Sequence, residues 1–111
     1  MKIYIAGPIT GHLNYKTHFA TAERSLRRKG HITINPSFLP DGLKDYMPIC
    51  KAMIDQADAI YMLIGWEGSA GAKEEQIYAR IKNKIIFYQS AELMPHKQLE
   101  IESDLKLAAG V

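Results

Sequence analysis

Apolar runs of strand length alternate with segments of helical spacing along this chain. Lys2 to Ala6 is a short apolar strand at the first residues, followed by the turn-forming loop Gly7-Pro8-Ile9-Thr10-Gly11. A helix is predicted from about Lys16 to Lys29, where Phe19, Ala22, Glu23 and Leu26 keep the 3–4 spacing and Gly30 stands where a C′ residue belongs. His31 to Asn35 reads as a second strand, stopped by Pro36, and Ser37 to Lys44 as a loop containing Pro40-Asp41-Gly42. Asp45 is placed to cap a helix running to about Gln56, with Ile49, Ala52 and Met53 on its buried face. Pro48 falls in that helix's first turn, where its missing N–H costs little. The run Ala59 to Ile64 is a third strand, apolar throughout and so buried on both faces. The chain then breaks at Gly65-Trp66-Glu67-Gly68 and restarts as a helix from about Ala70 to Lys82, with Ser69 as its N-cap. Lys84 to Tyr88 is a fourth strand, and a last helix is expected from about Pro95 to Leu107, with Leu99, Ile101 and Leu105 as contacts.

Strand–helix alternation of this kind implies an α/β domain, a parallel sheet of four to five strands between helices on both faces, in three layers. Right-handed crossovers favour the order 2-1-3-4, which reverses direction between strands 1 and 3. Ligands bind beyond the carboxyl ends of strands at such a switch point. There the order brings together two unusual loops, Gly7–Gly11 and Gly65–Gly71.

At 111 residues the chain has room for one core and not two, so residues 1–111 are expected to form a single domain. A net charge of +2 is too small to point to a nucleic acid polymer or an anionic membrane. The densest basic cluster, Arg24, Arg27, Arg28 and Lys29, ends a predicted helix and complements its dipole. Cys50, the one cysteine, excludes an internal disulfide and fits a reducing compartment. The first residues lack the length and cleavage site of a signal peptide, and no apolar run approaches the roughly 18 residues of a membrane span. The expected location is cytoplasmic.

Several residues carry candidate chemistry, each beside a structural alternative. The Gly7–Gly11 loop has neither the Gly-x-Gly-x-x-Gly spacing nor a Walker Lys-Ser/Thr end, which disfavours a dinucleotide or nucleoside triphosphate; it is a ligand loop or a tight turn. Ser69 with Gly71 at a helix start offers hydroxyl and N–H groups to an anion, or is an ordinary cap. Gly71 favours the former slightly, since glycine in a helix costs roughly 1 kcal/mol against alanine. Glu75 shares a stripe with Ala72 and Ala79, and its Cβ points back toward the helix N-terminus and the crevice. A partly desolvated carboxylate there can act as base or nucleophile, whereas Glu74, about 100° around the helix, faces solvent. Two surface glutamates near a helix N-terminus are the alternative. Trp66 either stacks on a planar ligand or plugs the sheet edge. His12, His18, His31 and His96 show no metal-ligand spacing, so neither a metal site nor a cofactor is expected.

The chain resembles the nucleoside 2-deoxyribosyltransferase-like superfamily, most closely its small members grouped as domain of unknown function 4406. The resemblance runs from Met1 to about Tyr88. It rests on Ile3-Tyr4-Ile5-Ala6-Gly7-Pro8, on Phe19…Ala22…Leu26…Gly30 leading to Asn35-Pro36, on Asp45-Tyr46-Met47…Cys50…Met53-Ile54…Asp58, and on Trp66…Ser69-x-Gly71-x-x-x-Glu75…Ala79. It implies a flavodoxin- or Rossmann-like fold and an enzyme that cleaves the N-glycosidic bond of (deoxy)nucleosides or their monophosphates. Glu75 matches the superfamily's nucleophile, which attacks C1′ and yields the sugar to another base or to water. Tyr4 or its loop matches the strand-1 site residues; Tyr4, Gly7 and Trp66 are then the expected walls of the sugar–base pocket, with Pro8 and, beside Ser69, Gly71 as further substrate contacts. Ser69 matches the residue that holds the sugar's 5′ end, an aspartate where the 5′ group is a free hydroxyl and a serine where it is a phosphate. A carboxylate repels phosphate and a helix-capping serine attracts it, so a 5′-monophosphate is implied. Cys50 stands where the superfamily's enzymes carry an aspartate. The resemblance also implies a homo-oligomer. Two readings of other classes stand beside it: a non-catalytic module that senses or sequesters a nucleotide, and an assembly subunit.

Overall fold

A computed structural model describes residues 1–90. The expected last helix lies outside them. Four parallel strands, β1 (Lys2–Ala6), β2 (Ile32–Ile34), β3 (Ala59–Met62) and β4 (Ile85–Tyr88), form one sheet in the order β2-β1-β3-β4. The helices are α1 (Tyr15–Arg28), α2 (Met47–Asp55) and α3 (Ala70–Ile81), with short 3₁₀ turns at Pro36–Phe38 and Trp66–Gly68.

The two-residue period of a strand divides the core into two layers. Ile3 and Ile5 of β1 with Ala59 and Tyr61 of β3 point to the α1 side, against Phe19, Ala22 and Leu26. Tyr4 and Ala6, with Ile60 and Met62, point to the other side, against Cys50 and Ile54 of α2 and Ala72 and Ala79 of α3. Register pairs Tyr4 with Ile60 and Ala6 with Met62, so the central strands are buried on both faces. Both layers are therefore built on one pair of strands, and the three-layer α/β expectation holds.

Two glycines show how the ends are made. Gly30 has φ +91° as the C′ residue of α1, and its N–H and that of His31 donate to the carbonyls of Arg27 and Leu26. Gly7 ends β1 in a tight place, because a Cβ there would lie 2.8 Å from the Cβ of Leu63. Leu63 is locked beside it by its N–H donating to the Ala6 carbonyl at 2.8 Å.

The elements depart from the expectation in three places. The ladder of β3 stops at Met62, and Ile64 is exposed, since Gly65 (φ +91°) turns the chain away there. α2 starts at Met47; the Asp45 carboxylate accepts from the Met47 N–H just ahead of it. Its buried stripe is Cys50 and Ile54, with Met53 half-buried and Ile49 and Ala52 exposed. In a nine-residue helix, Ile49–Met53 and Cys50–Ile54 are both i,i+4 pairs about 100° apart, and only contact with the sheet selects between them.

Candidate functional site

Beyond the carboxyl ends of β1, β2 and β3 the chain encloses a cavity of about 270 Å³, near the lower end of small-ligand sites. Gly7, Ile9 and Thr10 from the loop after β1, with Tyr15 of α1, form one part of its lining. Pro36, Leu39 and Asp41 from the segment after β2, Tyr46, Met47 and Cys50 at the start of α2, and Ser69, Gly71, Ala72 and Glu75 at the start of α3 complete the lining. The reversal of strand order between β1 and β3 opens this space, because α1 lies on one face of the sheet and α2 and α3 on the other.

Glu75 belongs to the buried stripe of α3, with Ala72, Gln76 and Ala79, and is 8% exposed. Small neighbours at 72 and 79 bring the helix close to the sheet and carry the carboxyl group inside. The Tyr4 hydroxyl, from the middle of β1, donates to its Oε2 at 2.8 Å. The Cys50 thiol completes the group, in hydrogen-bonding reach of both. Burial pushes the Glu75 carboxyl up to about 7, against the opposing pull of the Tyr4 and Cys50 donors. Burial, then the charge of Glu75, raises the Tyr4 phenol well above its ordinary range. Burial likewise moves the Cys50 thiol to about 11, so near neutrality it is a protonated donor and no nucleophile. Glu74 points outward and pairs with Lys51 at 2.9 Å on the surface.

Ser69 caps α3: its Oγ accepts from the Ala72 N–H at 3.1 Å with the backbone extended at φ −111°, ψ 116°. With that acceptor role filled, the hydroxyl proton is directed elsewhere, and the N–H groups of Ala70 and Gly71 belong to a first turn without intrahelical acceptors. A Cβ at Gly71 would meet only the Met47 Cε, at 3.9 Å. Packing therefore does not demand glycine there.

The cavity thus gathers Gly7, Ser69, Gly71 and Glu75, with Tyr4 behind Glu75. Two other sequence candidates sit elsewhere. Trp66 packs on Tyr88 of the edge strand β4, ring centroids 5.8 Å apart, and is absent from the cavity lining. Pro8 packs toward Gly65, its Cγ 3.4 Å from where a Cβ there would be. The lining residues Leu39, Asp41, Tyr46 and Met47 escaped the sequence reading as site residues. The Pro40-Asp41-Gly42 turn and the Asp45-Tyr46-Met47 stretch were the available signals, and neither says where its loop folds. Among the described residues no group of three or more metal-ligating side chains occurs, and no helix is long and apolar enough to cross a membrane.

Residues 1–88 match the family model described as "Domain of unknown function (DUF4406)". No curated protein matches the chain. Among solved structures, a 2-deoxyribosyltransferase from Bacillus psychrosaccharolyticus superposes with a TM-score of 0.62 at 23% identity, covering 94% of this chain and 82% of that one. At that identity the likeness establishes a shared fold.

Proposed function

The chain belongs to the DUF4406 family, and from that footing we propose that it is a nucleotide N-glycosidase or deoxyribosyltransferase-like enzyme acting on the N-glycosidic bond of a (deoxy)nucleoside 5′-monophosphate. The observation that carries this reading is the Glu75 carboxyl, buried in the wall of a ligand-sized cavity and hydrogen-bonded by Tyr4. The ionised carboxylate attacks C1′, the C1′–N bond breaks with its electron pair leaving on the base, and the base takes up a proton. Water or a second base then attacks C1′ and releases the Glu75 carboxylate. The cationic character that develops on the sugar is stabilised by an anion held beside it. Tyr4 positions that anion and opposes its protonation.

Ser69 and the first-turn N–H groups of α3 are the phosphate contacts. Among the described residues no lysine, arginine or histidine lines the cavity, so hydroxyl and N–H dipoles at the helix end meet the phosphate charge. Gly7 forms part of the sugar pocket wall, while Trp66 and Pro8 lie off the cavity lining. Self-association belongs to the same proposal, with Ile77 and Ile81 exposed on α3 as an apolar strip, and sedimentation of the purified chain tests it.

Chromatography of free base released from a panel of deoxy- and ribonucleoside 5′-monophosphates tests the activity. Release that vanishes in Glu75→Gln is the expected result, and release unchanged in that variant would sink the assignment of the nucleophile. Cys50, in the place of the superfamily's aspartate, favours one second reading, a nucleotide-binding module without turnover. It predicts ligand-dependent thermal stabilisation and no free base.

A further inference from the structure

The cavity is not uniform from one side to the other. Two strand spacings, about 10 Å, separate the end of β2 from the end of β3. On the β3 side lie Ser69, Gly71 and Glu75. Taking the proposed function as given, a ligand with its 5′ end at Ser69 and C1′ beside Glu75 extends its base toward β2. The wall there is Pro36, Leu39 and Tyr46, apolar and partly aromatic, a slot suited to a planar ring.

One charged group interrupts that wall. Asp41 is exposed at the cavity and has no hydrogen-bond or ion-pair partner among the described residues. Its turn is held on both flanks by one side chain: the Tyr46 hydroxyl donates to the Pro40 carbonyl and accepts from the Leu43 N–H at 3.3 Å. Gly42, at φ +83°, permits the turn between them. A carboxylate carried on a turn held this way accepts hydrogen bonds and donates none. Adenine, cytosine and guanine each present an exocyclic amino group to such an acceptor. Uracil and thymine present a single imide N–H between two carbonyl oxygens, which a carboxylate repels.

We propose that Asp41 is the specificity-determining residue of this cavity and selects nucleotides with an amino-bearing base over those of uracil and thymine. Dissociation constants and, where base is released, kcat/KM for dCMP against dUMP and for dAMP against dTMP test this in the wild type, Asp41→Asn and Asp41→Ala. The wild type is expected to favour the aminated member of each pair by about tenfold or more, on the scale of a well-formed base contact. Asp41→Asn, which keeps the size and adds a donor, is expected to narrow or invert the ratio, and Asp41→Ala to bring it toward one. Wild-type ratios near one, or ratios unchanged in Asp41→Asn, overturn the proposal. Discrimination in binding that collapses in Asp41→Asn, with no base released, supports the role of Asp41 while refuting the glycosidase. Neither binding nor release with any of the four nucleotides refutes both.

Discussion

Glu75 illustrates how one residue acquires reactivity from its surroundings. On an exposed helix its carboxyl would titrate near the ordinary 4.5; burial beside Tyr4 and Cys50 moves it to about 7. A nucleophilic carboxylate must be ionised, so turnover is expected to rise with pH through a limb near 7. Tyr4→Phe removes a donor that lowers this value and is expected to shift the limb upward, which a pH profile of kcat/KM on wild type and variant would detect. A limb that stays in place would mean that Tyr4 does not set the ionisation of Glu75. Gly7 and Gly71 differ in the same local way. The first is required by Leu63 at 2.8 Å, while the second has room for a side chain and is free to serve a ligand.

At the scale of elements, the start of α3 combines two jobs in Ser69. Its Oγ satisfies the Ala72 N–H, and its position at the cavity gives it the second job proposed above, holding the phosphate. Ser69→Ala is expected to cost about 1 kcal/mol of stability in denaturant unfolding through the lost cap. Ser69→Asp keeps a capping oxygen but adds charge. It is expected to hold stability near wild type while weakening monophosphates relative to the free nucleosides, measured as a ratio of dissociation constants. Equal losses for nucleotide and nucleoside would remove the phosphate from this helix end. The other end of α3 shows the logic of its termination: Asn83 takes φ +59°, and the N–H groups of Asn83 and Lys84 donate to Arg80 and Ala79. Gln76, on the buried stripe, donates to the Tyr88 hydroxyl at 3.0 Å and ties the helix to β4.

For the whole molecule, the buried carboxyl exacts a stability cost that depends on pH. The folded chain holds the proton of Glu75 up to about pH 7, whereas an unfolded chain releases it near 4.5. Between those values the folded state binds more protons, so stability falls as pH rises and the loss is complete above about 7. Glu75→Gln lacks this term. Its stability relative to wild type is expected to be unchanged below pH 4.5 and to improve with rising pH, by at most about 3 kcal/mol above pH 7, in unfolding curves at several pH values. A gain that is independent of pH would show that Glu75 does not carry the burial cost.

The order and kind of the elements, from β1 to β4, were legible in the sequence because each has its own periodicity and its own stop: Gly30 after α1, Pro36 after β2, Gly65 after β3. The strand order followed from the handedness of crossovers, and the inward aim of Glu75 from its stripe of alanines. The tertiary structure decided which of two stripes α2 buries, that Trp66 packs on Tyr88, and that Asp41 and Tyr46 reach the cavity. Periodicity records a residue's neighbours along one element, where spacing is constant. A loop has no such spacing, and a short helix with two apolar stripes has no preferred phase, so contacts distant in sequence settle both.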